Sequence, residues 1–536
     1  MKLRAALVVD NLKISKWQRA ALDFADESIE LVMLLNCQNT QNKKKYFKNF
    51  LYYFLNLLSL RSHLTKKEKV VPKATLHVVN FDAIYDGNWQ SFPSSVCQSI
   101  TNEKIDVVIK FGMNLLRIDE CRLSVPILSF HHGDPSKYRG RPAGFYEVLN
   151  GEKTTGIVVQ RLSNELDAGE ILAFASSKVV NYSYKKTAVN FYSNSAYLLQ
   201  KAVTNLSSNK CIKCRVDGEN YRLPSNSKVV RLSLLLLRNK FIRLFYGAFL
   251  EKRWHVAISP NNLSLKGDEC ISSTDFLEIP ISKKYNFYAD AFFSEDGKSI
   301  RLEALDNKTG LGDILEIDLN NLSKQKLLLT GHHFSYPFSF TYQNEEYLLP
   351  EVASHSSQYI CAADKPQTHI TQLKGLEGKR IVDATLMARH NMYFLFFGES
   401  TNAHTVLNLW FSASPFSEFK PHPMSPIAVS PNNARMGGKL LADSNRIIRF
   451  GQNNSGEYGE SLSVIEIMKI SDEVYEEKQV GTLCIDELKG PHSIGFSSDM
   501  SEILIDYYYH QFSLFSGVRR IKAKFKSHNQ AKVNLS

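Results

Sequence analysis

Cysteine is scarce: eight residues in 536, mostly isolated. That number does not make a disulfide scaffold, so a reducing cytoplasm is the expected setting. The opening stretch MKLRAALVVD has neither the longer apolar run nor the small-residue cleavage site of a secretory leader. No uncharged run reaches the ~20 residues a membrane-spanning helix needs. Nor does one sign of charge dominate. Against 65 Lys and Arg stand 54 Asp and Glu, a net of +11, which favours acidic partners without choosing among them. Cys211 and Cys214 form a CxxC, but no second CxxC or histidine pair accompanies it, so a structural zinc is not expected and no metal site is assigned.

What the chain does have is core-forming material: 43% hydrophobic and 11% aromatic residues against 22% charged, over a length that suggests two to four domains. From residue 3 the pattern alternates. Arg4 to Asp10, Ile29 to Asn36, Thr75 to Phe81, Ile105 to Phe111 and Val125 to His131 read as buried strands. Helical stretches such as Lys16 to Ala25 and Ser94 to Asn102 lie between several of them. That alternation predicts an α/β, doubly wound (Rossmann-like) domain with its chemistry beyond the carboxyl ends of the strands, after Phe111 and Phe130.

Two basic aromatic segments, 43–69 and Val229 to Phe249, interrupt the pattern. Each reads as a helix packed on the protein itself, with a peripheral membrane contact left open. Beyond them the chain turns rich in Gly, Ser, Asn and aromatics. Asp290, Tyr336, Asp383, Gly437 and Ser493 mark five strand-turn-strand openings spaced about 46 to 56 residues apart, near the period of propeller blades. Trp254 to Ser259 is the candidate closing strand. The predicted second domain is an all-β five-bladed β-propeller.

Ser129 to Leu172 reads SFHHGDPSKYRGRPAGFYEVLNGEKTTGIVVQRLSNELDAGEIL. His131 stands seven residues before Tyr138-Arg139-Gly140, Gly151-Glu152 precedes Thr155-Gly156-Ile157, and Asp167-Ala168-Gly169 follows. This ordered set resembles the N10-formyltetrahydrofolate-dependent formyltransferases. That family includes the methionyl-tRNA, glycinamide ribonucleotide and nucleotide-sugar enzymes. The resemblance implies that His131 is the catalytic histidine and Asp167 its carboxylate partner. Tyr138, Arg139 and Gly140 would shape the acceptor loop, and Phe111, Gly112, Met113 and Leu115 would wrap the pterin of N10-formyltetrahydrofolate. The chemistry wants such groups: a proton must leave the attacking amine and reach the departing nitrogen while an oxyanion forms. The family's Asn, two residues before the histidine, is Ser129 here. Losing one oxyanion donor costs about 10²- to 10³-fold in rate; a serine hydroxyl could donate instead, directly or through water, and His132 could share the histidine's role.

The repeats, with Ala289-Asp290, Leu349-Pro350-Glu351 and Val382-Asp383, resemble the amino-terminal propeller of plant glucosamine inositolphosphorylceramide transferases. That propeller looks in turn like five-bladed glycosidases with three central carboxylates, so Asp290, Glu351 and Asp383 are candidate sugar-binding residues. The resulting expectation is a formyltransferase domain over 1–207, a basic helical connector over 208–251, a propeller over 252–525 and a basic tail over 526–536. Its acceptor would be the amine of a nucleotide- or lipid-linked sugar in surface-glycan assembly. No nucleic acid is expected, since nothing after residue 207 resembles a tRNA-binding barrel. The expected location is cytoplasmic, with contact at the inner membrane face left open. The alternatives are a glycan-binding protein with a relic formyltransferase domain, and a propeller glycosidase. The oligomeric state is not read from the sequence.

Overall fold

The structure is a computed structural model that describes residues 2–39, 47–59, 62–70, 76–119, 123–165, 169–352, 358–367, 370–443 and 445–521. The chain divides into two compact units, residues 1–240 and 241–536.

In unit 1 the buried runs become strands β1 (Leu3–Asp10), β2 (Ile29–Cys37), β3 (His77–Phe81), β4 (Val107–Lys110) and β5 (Ile127–His132). They pair in parallel in the order β3-β2-β1-β4-β5. The strand β6 (Tyr138–Gly140) leaves this sheet, while β7 (Thr154–Arg161) and β8 (Glu170–Lys178) extend it antiparallel beyond β5. The order reverses between β1 and β4, the kind of point where open α/β sheets leave a crevice at their carboxyl ends. A hydrogen bond from the Met113 amide to Asp10 Oδ1, 2.9 Å long, ties the two strand ends together there.

Both faces of the sheet are covered. The helices α1 (Lys16–Phe24), α2 (Phe50–Ser59) and α3 (Ser94–Asn102) come first. Val96 and Ile100 of α3 pack on Ala6, Val8 and Val108. Trp17 of α1 meets Phe130 and His132. Beyond α4 (Phe145–Asn150), α5 (Tyr184–Ser195) and α6 (Leu198–Ser207) pack on α1 and cover β7 and β8.

Residues 208–225 differ from the expected helical connector. They include β9 (Glu219–Tyr221), which pairs in parallel with β6. The cause is aromatic: Tyr221 stacks on Tyr138 at 5.3 Å and on Tyr146 at 4.2 Å between ring centroids. The helix α7 (Asn226–Phe249) follows, and the division between the units falls within it. The expected tail at 526–536 lies outside the described residues.

In unit 2, β10 (Leu250–Pro260) is the first strand, and the sheets are antiparallel except where Glu269–Ile271 pairs in parallel with Tyr475–Ile485. Five sheets are present among the described residues. Counted from one edge, their first strands are β11 (Tyr285–Phe293), β12 (Phe334–Tyr342), β13 (Ile381–Arg389), β14 (Arg435–Met436) and β15 (Ile494–Phe496), the last in the same sheet as β10. The last strand, β16 (Glu502–Phe512), pairs with β10 along its whole length, Leu250 opposite Phe512 and Pro260 opposite Glu502. Each first strand touches the next through β14, Gly438 bridges to Ile494, and β15 touches β11 again.

The sequence markers fall on these strands. Asp290, Tyr336 and Asp383 have φ of 50°, 46° and 49°, each inside a register break of its strand. A non-glycine residue in the left-handed region is costly, and here the same distortion recurs in three successive sheets.

Candidate functional site

Among the described residues, two clusters of chemically capable side chains occur, one in each unit. In unit 1 the alternation of β5 sends Ser129 and His131 to one face and Phe130 and His132 to the other. Ser129 and His131 are each 8% exposed. His131 Nε2 lies 3.1 Å from the carbonyl oxygen of Tyr138. A carbonyl only accepts, so the proton sits on Nε2. Gly133 makes this approach feasible, because a Cβ there would stand 2.8 Å from both His131 Nε2 and Tyr138 O.

Tyr138, Arg139, Gly140, Arg141, Tyr146, Glu147 and Tyr221 line a small, partly open pocket beside His131. The family-pattern residues explain one another here. Glu152 accepts from the Tyr138 hydroxyl at 3.1 Å and from Lys137 at 3.2 Å. Arg139 Nε donates to the Gly218 carbonyl at 2.7 Å. Gly156 is needed because a Cβ would lie 2.6 Å from Asp134 Cα. Thr155 Oγ1 donates to Glu147 Oε1 at 2.8 Å.

Glu147 was not read from the sequence. It is 2% exposed, and burial raises its pKa above the ordinary carboxylate range, with the Thr155 bond and nearby His131 opposing. The signal was present: an acidic residue inside the otherwise apolar stretch Phe145-Tyr146-Glu147-Val148, all four of them buried.

His132 faces another environment. Its ring is enclosed by Trp17, Phe191 and Tyr192, and its Nε2 lies 2.9 Å from Ser195 Oγ. Burial first, and the neighbouring His131 second, push its pKa down to about 3. Asp167 lies outside the described residues.

The segment after β4 forms a ledge beside Asp10. The amides of Phe111 and Gly112 both donate to Val8 O, and that of Asn114 to Gln90 Oε1. Phe111 meets Trp17 edge-on, Gly112 abuts the Val9–Asp10 backbone, Met113 is buried in the core and Leu115 is half-buried. The amides of Phe111, Gly112, Met113 and Asn114 are thus all spent within the protein, and the apolar side chains of Phe111 and Leu115 suit the flat face of a pterin ring.

In unit 2 a carboxylate cluster gathers residues from every sheet. Asp290 Oδ1 lies 3.0 Å from His492 Nε2, and Asp506 Oδ2 lies 2.6 Å from His492 Nδ1. These contacts set the His492 ring between two carboxylates as ion pairs. Asp506 also accepts from the amides of Asp290, His492 and Ser493 and from the Ser493 hydroxyl, at 2.8–3.0 Å. Burial opposes charge on His492, yet Asp506 and Asp290 raise it to about 10; Asp506 is held below its ordinary value by His492 and these donors. The three ligand atoms lie within 4.8 Å of one another, but the imidazolium between the carboxylates already supplies the positive charge a metal would bring.

Asp383 is gripped by Arg435 and accepts from Gln452 Nε2 at 3.0 Å. Its amide donates to Glu351 Oε2 at 3.3 Å. Burial and the Asp383 charge push Glu351 up to about 8, with Arg435 opposing. Glu303, buried beside Asp290, Glu351 and Asp383, is raised further. Asp290 is raised by burial despite His492. The structure thus brings Asp290, Glu351 and Asp383 together and adds Glu303, Arg435, His492 and Asp506. Only Asp506 stood out locally, as an acid within the strand ILIDYYYH. Cys211 and Cys214 are free thiols, exposed and half-buried.

A family model described as "Glucosamine inositolphosphorylceramide transferase 1, N-terminal" matches residues 286–495. Over 163 residues the chain is 33% identical to Glucosamine inositolphosphorylceramide transferase 1 of Oryza sativa subsp. japonica, covering 29% of this chain and 22% of that protein. Over 127 residues it is 33% identical to Bifunctional polymyxin resistance protein ArnA of Wigglesworthia glossinidia brevipalpis, covering 22% and 19%. The chain therefore spans about a fifth of the length of these curated relatives. Phosphoribosylglycinamide formyltransferase from Anaplasma phagocytophilum superposes over 42% of this chain and 96% of its own, at 15% identity and a TM-score of 0.28. A superposition that loose bears on neither fold nor function.

Proposed function

We propose that unit 1 is a formyltransferase that moves a formyl group from N10-formyltetrahydrofolate to the amine of a sugar, and that unit 2 is a five-bladed propeller that holds the acceptor. The observation that carries the reading is His131, at the carboxyl end of a parallel strand, facing a pocket formed by Tyr138-Arg139-Gly140 and the buried Glu147. The folate supplies the activated formyl carbon when bound. His131, with its proton on Nε2, is suited to carry the proton between the attacking amine and the departing nitrogen. The hydroxyl of Ser129, on the same strand face, is the candidate donor to the oxyanion. Arg139 and Arg141 line the pocket, and guanidinium groups suit the phosphates of a nucleotide- or lipid-linked sugar.

The sugar acceptor has two supports: the relative whose name carries glucosamine, and the carboxylate cluster of unit 2, whose polar groups suit sugar hydroxyls. A surface-glycan setting in the cytoplasm follows from this reading. The test is to incubate the full chain with N10-formyltetrahydrofolate and nucleotide- or lipid-linked amino sugars, and to look for the formamide by mass spectrometry. Formylation lost in His131→Ala is the expected result; no formylation of any amino sugar sinks the reading. For unit 2, Asp290→Asn should raise KM for the sugar with little change in kcat, because uniform binding is what is lost. A second reading, glycoside hydrolysis by unit 2, draws on Glu351, a carboxyl raised to about 8 beside Asp383, the pattern of an acid next to an ionised partner. Release of sugar from a glycoside, abolished in Glu351→Gln, would favour it.

A further inference from the structure

The stretch Asn226 to Phe249 contains five cationic residues and no acid: NSKVVRLSLLLLRNKFIRLFYGAF. Its first turns bury Val229 and Leu232. Beyond the division in α7 the packing stops, and residues 241–245 are exposed in succession. Successive helical residues point about 100° apart, so the exposure runs round the helix at this turn. Four of the five are large and apolar: Phe241 is 63% exposed, Ile242 58%, Leu244 67% and Phe245 55%. A helix turn that is apolar all round belongs in a core or in lipid.

The end of the chain's last strand joins this surface. Phe512 stacks on Phe249 at 6.0 Å. Arg520 donates to the carbonyls of Tyr246, Gly247 and Leu250 at 3.2, 2.8 and 2.7 Å. These contacts fasten residues 512–521 beside the helix end, and the segment brings Leu514 and Phe515, 67% and 66% exposed, together with Val518 and Ile521. It too has no acid, and the sequence that follows adds Lys522, Lys524, Lys526 and Lys532. Among the described residues no helix is long and apolar enough to cross a membrane.

We infer that this face of unit 2 docks in the interface of an anionic lipid surface, its apolar side chains inserted and its Arg and Lys heads at the phosphates. Charge selects this occupant over a second copy of the chain. Two copies meeting through the same patch would set cation against cation, whereas each Lys or Arg near an anionic surface strengthens binding about fivefold. The inference does not rest on the formyl-transfer reading.

The test is co-sedimentation of the full chain with sucrose-loaded vesicles of phosphatidylcholine, with and without phosphatidylglycerol. Binding to the anionic vesicles, weakened by salt, is expected. Arg238→Gln/Lys240→Gln/Arg243→Gln should reduce it by about 10²-fold. Phe241→Ser/Phe245→Ser together with Leu514→Ser/Phe515→Ser should abolish it. Hydrogen exchange on the unaltered chain needs no variant to fold, and residues 241–249 and 512–521 should gain protection when anionic vesicles are added. Wild-type protein left in the supernatant overturns the inference, as does unchanged exchange in those segments. A concentration-dependent dimer dissociated by Phe241→Ser/Phe245→Ser overturns it in favour of a second copy.

Discussion

The His131 pocket of unit 1 and the carboxylate cluster of unit 2 differ in how many of their buried groups are paired with an opposite charge. In unit 1 burial works on nearly isolated groups: His132 is driven to about 3 among aromatic rings, and Glu147 is raised with a threonine hydroxyl as its hydrogen-bond partner. In unit 2 pairing keeps the charge on some groups, with His492 between two carboxylates lifted to about 10 and Asp383 held by Arg435, while burial raises Glu303 and Glu351 beside them. The difference bears on function. A group that must change its protonation during a reaction cannot be locked by two counter-charges, whereas a group that fixes a scaffold can. His132 and Glu147 have environments of the first kind, and His492 that of the second.

The largest test of this contrast separates the adjacent histidines. His131→Ala should lower kcat for formyl transfer by about 10²- to 10⁴-fold while leaving the thermal midpoint within a few degrees. His132→Gln should do the reverse, lowering the midpoint with kcat nearly unchanged, since His132 is committed to Ser195 and three aromatic rings. Steady-state assays beside circular-dichroism melts read both. Equal kcat losses in the two variants would break the assignment.

In unit 2 the corresponding cut is Asp506→Ala. It strands the amides of Asp290, His492 and Ser493 and leaves the His492 cation with Asp290 alone. Breaking a buried pair of this kind costs about 3–5 kcal/mol, to be read by denaturant unfolding of the full chain. A loss under 1 kcal/mol would mean that the pairing stores little stability.

The same pairing gives a pH signature. His492 is raised from 6.5 to about 10 in the folded chain. Its stabilising contribution is therefore complete below its unfolded value and disappears as pH climbs toward 10. Glu351, raised to about 8, acts in the same direction, because the folded state holds its proton after the unfolded state has released it. Asp506 has the opposite sign: being lowered, its contribution is present above its ordinary value and is lost on acidification. Amide exchange in residues 490–506 should therefore accelerate between pH 6.5 and 10, after correction for intrinsic rates, and His492→Gln should flatten the rise. An equal rise in His492→Gln would remove histidine pairing as its cause.

The two sites were unequally legible in the sequence. The motif residues of unit 1 fall within 129–169, because a strand end and the loops that follow it fold on themselves, and short spacing then carries geometry. Glu147 escaped only because a helix-borne acid among apolar residues reads as a packing anomaly. The repeat in unit 2 was readable through Asp290, Tyr336 and Asp383, which have positive φ at matching register breaks. The partners of those residues were not readable. Asp290 meets Asp506 across 216 positions, and Asp383 meets Arg435 across 52, distances at which no local period reports who faces whom. Residues 208–225 were misread for a related reason, since pairing of β9 with β6 depends on tyrosines from separate segments stacking on one another.

Ser129 gives the smallest predicted effect and the finest test of the unit 1 environment. It shares a strand face with His131 and is 8% exposed, so under the proposed function its hydroxyl would act where little water competes and a single donor to an oxyanion has its full influence. A hydroxyl on a short side chain reaches less far than the amide the family uses, and a water can partly replace it. Ser129→Ala should therefore lower kcat by only about tenfold, below the usual range for loss of an oxyanion donor, with KM for the folate unchanged. Ser129→Asn should equal or exceed the wild type, because the longer amide restores a direct donor without changing the charge beside His131. If Ser129→Ala retains full kcat, the hydroxyl contributes nothing. The pocket would then have to stabilise the oxyanion with charge from Arg139 or Arg141, and unit 1 would resemble unit 2 more closely than the histidine contrast implies.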